Sequence, residues 1–124
     1  MQGQALIIDN TPVMTGNPIN IEFLFWEECP SHGPTWERLQ AILKENNLQA
    51  QVTRIEIRTD EDANRLNFCG SPTIHINGED IDPKGAQAQR IGLNCRVYHT
   101  PDGRVTPLPS EEMIRTAIDR AIKS

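Results

Sequence analysis

Three thiols, Cys29, Cys69 and Cys95, and an imidazole three places after the first, His32, are the side chains best suited to chemistry in this sequence. Cys29 lies in Glu27-Glu28-Cys29-Pro30-Ser31-His32-Gly33-Pro34, between an apolar run and a stretch of helical periodicity. A sulfur at a helix start meets unpaired amide groups and the positive end of the helix dipole, both of which favour an anion. The thiolate is the nucleophilic form of cysteine. His32, one turn on, can pair with it when protonated. Glu27 and Glu28 push the other way, because nearby negative charge disfavours a thiolate. The pattern describes a reactive thiol. The plainer alternative is a partly buried structural cysteine, since free cysteines commonly pack as small apolar groups.

The elements that must position these groups follow from periodicity. Ile19 to Trp26 reads INIEFLFW, with Ile19, Ile21, Phe23 and Phe25 alternating on one face and Leu24 and Trp26 on the other. That pattern predicts a strand covered on both sides late in its course. Trp36, Leu39, Ile42 and Leu43 share one helical stripe that ends at Asn46-Asn47. Pro30 suits a first turn, whereas Gly33-Pro34 points to a later start or a kink. Residues 51–58 form a second strand, and Thr59 or Asp60 caps a short helix reaching about Asn67. Gly70-Ser71-Pro72-Thr73-Ile74-His75-Ile76 turns into a third strand. Asn77-Gly78 signals a hairpin and Glu79 to Ile81 its return. In residues 82–109, Cys95 to His99 is a candidate strand returning through Arg104 to Thr106 after Pro101-Asp102-Gly103. Ser110 caps a last helix with Glu111 and Glu112 in its first turn and an apolar stripe through Met113, Ile114, Ala117, Ile118, Ala121 and Ile122. Residues 1–18 read as an irregular arm in which Ala5 to Ile8 could add an edge strand.

The chain has 124 residues, enough for one domain with one core. Hydrophobic residues make 37% and aromatic ones 5%, so the core must be mainly aliphatic. The net charge of −5 and the lack of a basic stripe argue against a nucleic-acid groove. No apolar run approaches the ~20 residues that span a bilayer. Residues 1–20 lack a basic start followed by an apolar core, so the expected location is cytoplasmic. An odd number of cysteines in such a chain speaks against a structural disulfide framework.

A hydrophobic strand ending in Trp26-Glu27-Glu28-Cys29-Pro30 and leading into a helix resembles the active-site segment of thioredoxin-like proteins. Gly70-Ser71-Pro72-Thr73, followed by a strand and Asn77-Gly78, resembles their cis-proline loop and hairpin. Gly92-Leu93-Asn94-Cys95-Arg96-Val97-Tyr98 resembles the tail of small bacterial members of that superfamily, some of which carry the name alkylmercury lyase. The fold this implies is α/β: a thioredoxin-like domain with a central mixed β-sheet flanked by helices. Its parts would be an arm (1–18), a core (19–83), an inserted segment (84–109) and a C-terminal helix (110–124). Where thioredoxins carry Cys-x-x-Cys, this chain has Cys29-Pro30-Ser31-His32, so His32 stands at the position of the resolving thiol and exchange within one motif is unavailable.

The resemblance implies a thiol-dependent redox protein with Cys29 as nucleophile, His32 tuning its ionisation, and Cys69, Cys95 or an external thiol resolving the intermediate. Ser71, Pro72 and Thr73 would orient the partner, a protein or small-molecule thiol or disulfide, through the backbone that a cis proline exposes. No cofactor is expected. Cys69, three residues before Pro72, would lie close to Cys29, and the segment holding Cys95 could fold back over the same face. Two alternatives stand beside this: a thiol protein that captures a soft metal or organomercurial through Cys29, His32, Cys69 and Cys95, and a non-catalytic module that binds another protein. His75 and His99 read as surface or packing residues, and Trp26 and Trp36 as core.

Overall fold

The structure, a computed structural model, describes residues 19–100 and 102–123. The arm, with its expected edge strand at Ala5 to Ile8, lies outside the described residues.

Alternation in strand β1 (Ile19–Phe25) sends Ile19, Ile21, Phe23 and Phe25 into one core and Leu24 into a second, smaller one with Ile57, Ala63 and Phe68. A strand buried on both faces belongs in the middle of a sheet. β1 pairs parallel with β2 (Ala50–Glu56), Phe25 opposite Glu56, and antiparallel with β3 (Thr73–Ile76), Leu24 opposite Thr73. β4 (Glu79–Asp80) completes the order β2-β1-β3-β4. The turn between β3 and β4 uses Asn77 at φ 53° and Gly78 at φ 85°, the two left-handed positions that this pair tolerates. β4 ends one residue short of the expected Ile81, whose N–H still bonds to Ile74 O at 3.1 Å.

Helix α1 (His32–Glu45) starts late, after Pro30 and Ser31, which resolves the ambiguity in its first turn. Pro34 falls where a helix has no intrahelical use for an N–H, so its ring costs nothing there. Leu39 and Ile42 enter the main core, and Trp36 packs edge-on to Phe23 at 5.1 Å. Helix α2 (Asp60–Leu66) is capped by the Thr59 hydroxyl, which accepts from Asp62 N at 3.0 Å, and closes at left-handed Asn67. Helix α4 (Glu111–Lys123) begins where the Ser110 hydroxyl accepts from Met113 N at 3.1 Å, and buries Ile114, Ala117 and Ile118.

The segment before α4 departs most from expectation. Asp82 caps a short helix, α3 (Pro83–Ala88), which periodicity over so few residues did not reveal. The expected strand from Cys95 to His99 is confined to β5 (Tyr98–His99), paired with β6 (Val105–Thr106) in a separate two-stranded sheet. Cys95 and Arg96 do not extend it because their backbone is engaged elsewhere: Cys95 forms a parallel bridge with Ser71. The whole is α/β, with a mixed sheet and, among the described residues, four helices, compatible with a thioredoxin-like fold. No helix among the described residues is long and apolar enough to cross a membrane.

Candidate functional site

β1 ends at Phe25 and the chain turns before α1, with Cys29 N donating to Trp26 O at 3.0 Å and His32 N to Cys29 O at 3.4 Å. This turn points the Cys29 sulfur inward, where it is fully buried. Its thiol donates to the carbonyl oxygen of Ser71 at 3.4 Å. Ser71 is the hub of the site. Its peptide bond to Pro72 is cis. Its hydroxyl accepts from Trp26 N at 3.0 Å and ties the loop to the end of β1. Its N–H donates to Asn94 O at 2.8 Å, and its carbonyl accepts from Arg96 N at 2.9 Å.

Those last two bonds flank Cys95, which is exposed and bridges to Ser71 through its backbone. The neighbouring Cys29 thiol, then partial burial, push the Cys95 thiol up to about 11. Two cysteines far apart in sequence are thus brought to the same residue of the proline loop. Gly70 lets the segment come so close: a Cβ there would lie 2.7 Å from Asn94 Oδ1 and 2.8 Å from Arg96 Cβ, and its φ of +114° suits glycine.

Sequence reasoning missed what anchors this segment. Arg96 is fully buried, donating from both terminal nitrogens to Asp80 at 2.8 Å each, and further to Asp82 O at 3.3 Å and Thr73 Oγ1 at 3.4 Å. Its guanidinium lies 4.5 Å from the Tyr98 ring centre. Desolvation alone lowers its pKa, but the Asp80 hydrogen bond and the surrounding charges outweigh that and hold it above the usual range. The Tyr98 hydroxyl donates to Pro72 O at 2.6 Å, and burial pushes its own ionisation well up. The available signal was the shared parity of Arg96 and Tyr98 in a stretch read as strand. Nothing local marks Asp80 as their partner.

The other expected residues disperse. Cys69 is buried on the Arg96–Asp80 side of the loop, its sulfur 4.0 Å from Thr73 Oγ1, and burial raises its pKa. Together with His75 and Asp80 it lines an open cavity of about 380 Å³. The Thr73 hydroxyl donates to Gly70 O at 2.6 Å and so closes the loop on itself. The His32 ring stacks at 4.8 Å on Phe25, with Nε2 3.7 Å from Glu27 Oε1 and Nδ1 buried without a hydrogen-bond partner. His75 lies between Glu22 (3.4 Å) and Asp80 (3.9 Å). Among the described residues, no three His, Cys, Asp or Glu side chains converge as metal ligands.

No family model matches the chain. Among curated proteins, protein disulfide-isomerase A4 of Bos taurus is 29% identical over 91 residues, covering 71% of this chain and 14% of that protein. This distant similarity and the mixed α/β sheet together support placement in the thioredoxin-like superfamily.

Proposed function

We propose that the protein exchanges thiols with disulfides through Cys29 and Cys95 used as one redox pair. The observation that carries this is that both cysteines are held to Ser71, Cys29 by its thiol donating to the Ser71 carbonyl at 3.4 Å and Cys95 by its parallel backbone bridge. The similarity to a protein disulfide-isomerase agrees with it. The sequence pointed to Cys29 as the attacking sulfur. Because Cys29 is sealed from solvent and Cys95 is open to it, an external disulfide in this reading meets Cys95 first.

The Cys95 thiolate attacks one sulfur of the external disulfide. That S–S bond breaks, and the first thiol leaves with the proton that Cys95 gave up. Cys29 then loses its proton and attacks the Cys95 sulfur of the mixed disulfide. The second thiol leaves, taking that proton, and the Cys29–Cys95 disulfide forms. Two protein thiols are oxidised and one external disulfide becomes two thiols. The Ser71 carbonyl holds the Cys29 thiol and the main chain next to Cys95, and Thr73 keeps the loop closed. His32 faces Glu27 and Phe25 and has no direct part in either step. Among the described residues no three metal-ligating side chains converge, which favours exchange over metal capture in this reading.

Mixing reduced protein with an aromatic disulfide that releases a coloured thiol tests the reading. The wild-type pair should release two equivalents. Cys29→Ala should release one and retain the adduct on Cys95. A Cys95→Ala variant whose Cys29 still releases its one equivalent at the wild-type rate would overturn it.

A further inference from the structure

The backbone edge beside Pro72 is already occupied. Residues 94–96 lie along Ser71 as a short extended peptide, accepting from its N–H at 2.8 Å and donating to its carbonyl at 2.9 Å, with a cysteine at the centre facing Cys29. A foreign polypeptide presenting its own cysteine to Cys29 in an extended conformation would need those same two groups. The internal segment is firmly held. Arg96 is fully buried on Asp80, Tyr98 is fully buried on Pro72 O, and Gly70 leaves no gap beneath Asn94 and Arg96. Meanwhile Cys95 itself remains exposed.

We infer that the substrate of this site is a small-molecule disulfide and not an extended polypeptide disulfide. This rests on the redox reading above and narrows it. A small disulfide needs only in-line access to the Cys95 sulfur. A peptide that must pair with the loop has to displace a segment anchored by buried charge, so its apparent affinity falls by the fraction of molecules in which the segment is detached. The exchange is the one already balanced: one external disulfide is reduced to two small thiols as the Cys29–Cys95 disulfide forms.

The experiment is single-turnover oxidation of the full reduced chain, followed by acid quench and mass spectrometry. One arm uses hydroxyethyl disulfide and the other insulin, a polypeptide disulfide. Amide hydrogen exchange at Ser71 and Arg96 is read in parallel. Because every tenfold needs only about 1.4 kcal/mol of displacement cost, the small disulfide should oxidise the pair at least about a hundredfold faster. Both amides should exchange slowly and remain unperturbed by an excess of a cysteine-containing peptide. Equal rates for the two disulfides, or loss of Ser71 and Arg96 protection on adding the peptide, would overturn this inference while leaving the redox pair intact. If neither disulfide produced a Cys29–Cys95 bond, the redox reading would fall, and this inference with it.

Discussion

The Cys29 thiol and the main-chain N–H of Arg96 converge on one acceptor, the carbonyl oxygen of Ser71, at 3.4 and 2.9 Å. The position of Cys29 and the position of the segment carrying Cys95 are therefore referred to a single atom.

Cys95 should become more reactive when Cys29 is removed. The neighbouring Cys29 thiol is the first cause that pushes the Cys95 pKa up from an ordinary 9.0 to about 11. In Cys29→Ala that cause is gone and the pKa moves back down. At pH 8 the thiolate fraction rises by up to about a hundredfold, and the lower basicity gives back a factor of about eight, leaving alkylation about tenfold faster. Iodoacetamide kinetics followed by peptide mass spectrometry measure this; an unchanged or slower rate contradicts it.

Stability should decline in alkali. Burial raises the pKa of Tyr98 and of Cys69, and Cys29 raises that of Cys95. In each case the folded state keeps its proton to higher pH than the unfolded state. The native chain thus binds more protons above the unfolded values of about 8.5 for cysteine and 10 for tyrosine, and stability falls as pH rises through that range. The contribution is fully present below about pH 8. Urea midpoints should drop steadily between about pH 8 and 11, and Tyr98→Phe should flatten the upper part of that drop. A midpoint independent of pH would be the contrary result.

Arg96→Met should cost up to about 3–5 kcal/mol, because it leaves the partly buried Asp80 carboxylate without its guanidinium. The double variant Arg96→Met/Asp80→Leu should recover most of that loss, since it removes the orphaned charge as well. Urea unfolding of the three proteins decides the point. A loss of less than about 1 kcal/mol in the single variant would show that the pair is not carrying the segment.

Gly70→Ala should both destabilise the chain and loosen the thiol pair. The new methyl would meet Asn94 Oδ1 at 2.7 Å and Arg96 Cα at 3.0 Å, at a φ that side chains avoid. A loss of at least about 2 kcal/mol is expected. Faster exchange of the Arg96 amide is the local readout, and wild-type exchange there would argue against close packing.

Much of the fold was legible because it is written locally. Alternation from Ile19 to Phe25 marked a strand buried on both faces, Asn77-Gly78 marked the hairpin between β3 and β4, and Thr59 and Ser110 capped the helices they were expected to cap. The proline loop and Cys29 were legible by order and spacing. What was hidden depends on contacts between distant segments. Helix α3 is too short for periodicity to register. Arg96 reads as a surface charge until Asp80 is brought to it across the hairpin. The surroundings of Cys69 and Cys95 were hidden too, because the bridge from Ser71 to Cys95 and the contact of Cys69 with Thr73 join segments that spacing alone does not relate. His32 was read from its spacing to Cys29, but its ring found Phe25 and Glu27.

Peptide mapping after stoichiometric oxidation addresses the sulfur pair most directly. The reduced chain, treated with one equivalent of a disulfide-forming oxidant and digested at acid pH, should yield one cross-linked peptide joining Cys29 to Cys95, with Cys69 recovered as a free thiol. A digest in which Cys29 stays reduced, or in which Cys69 holds the cross-link, would contradict the account.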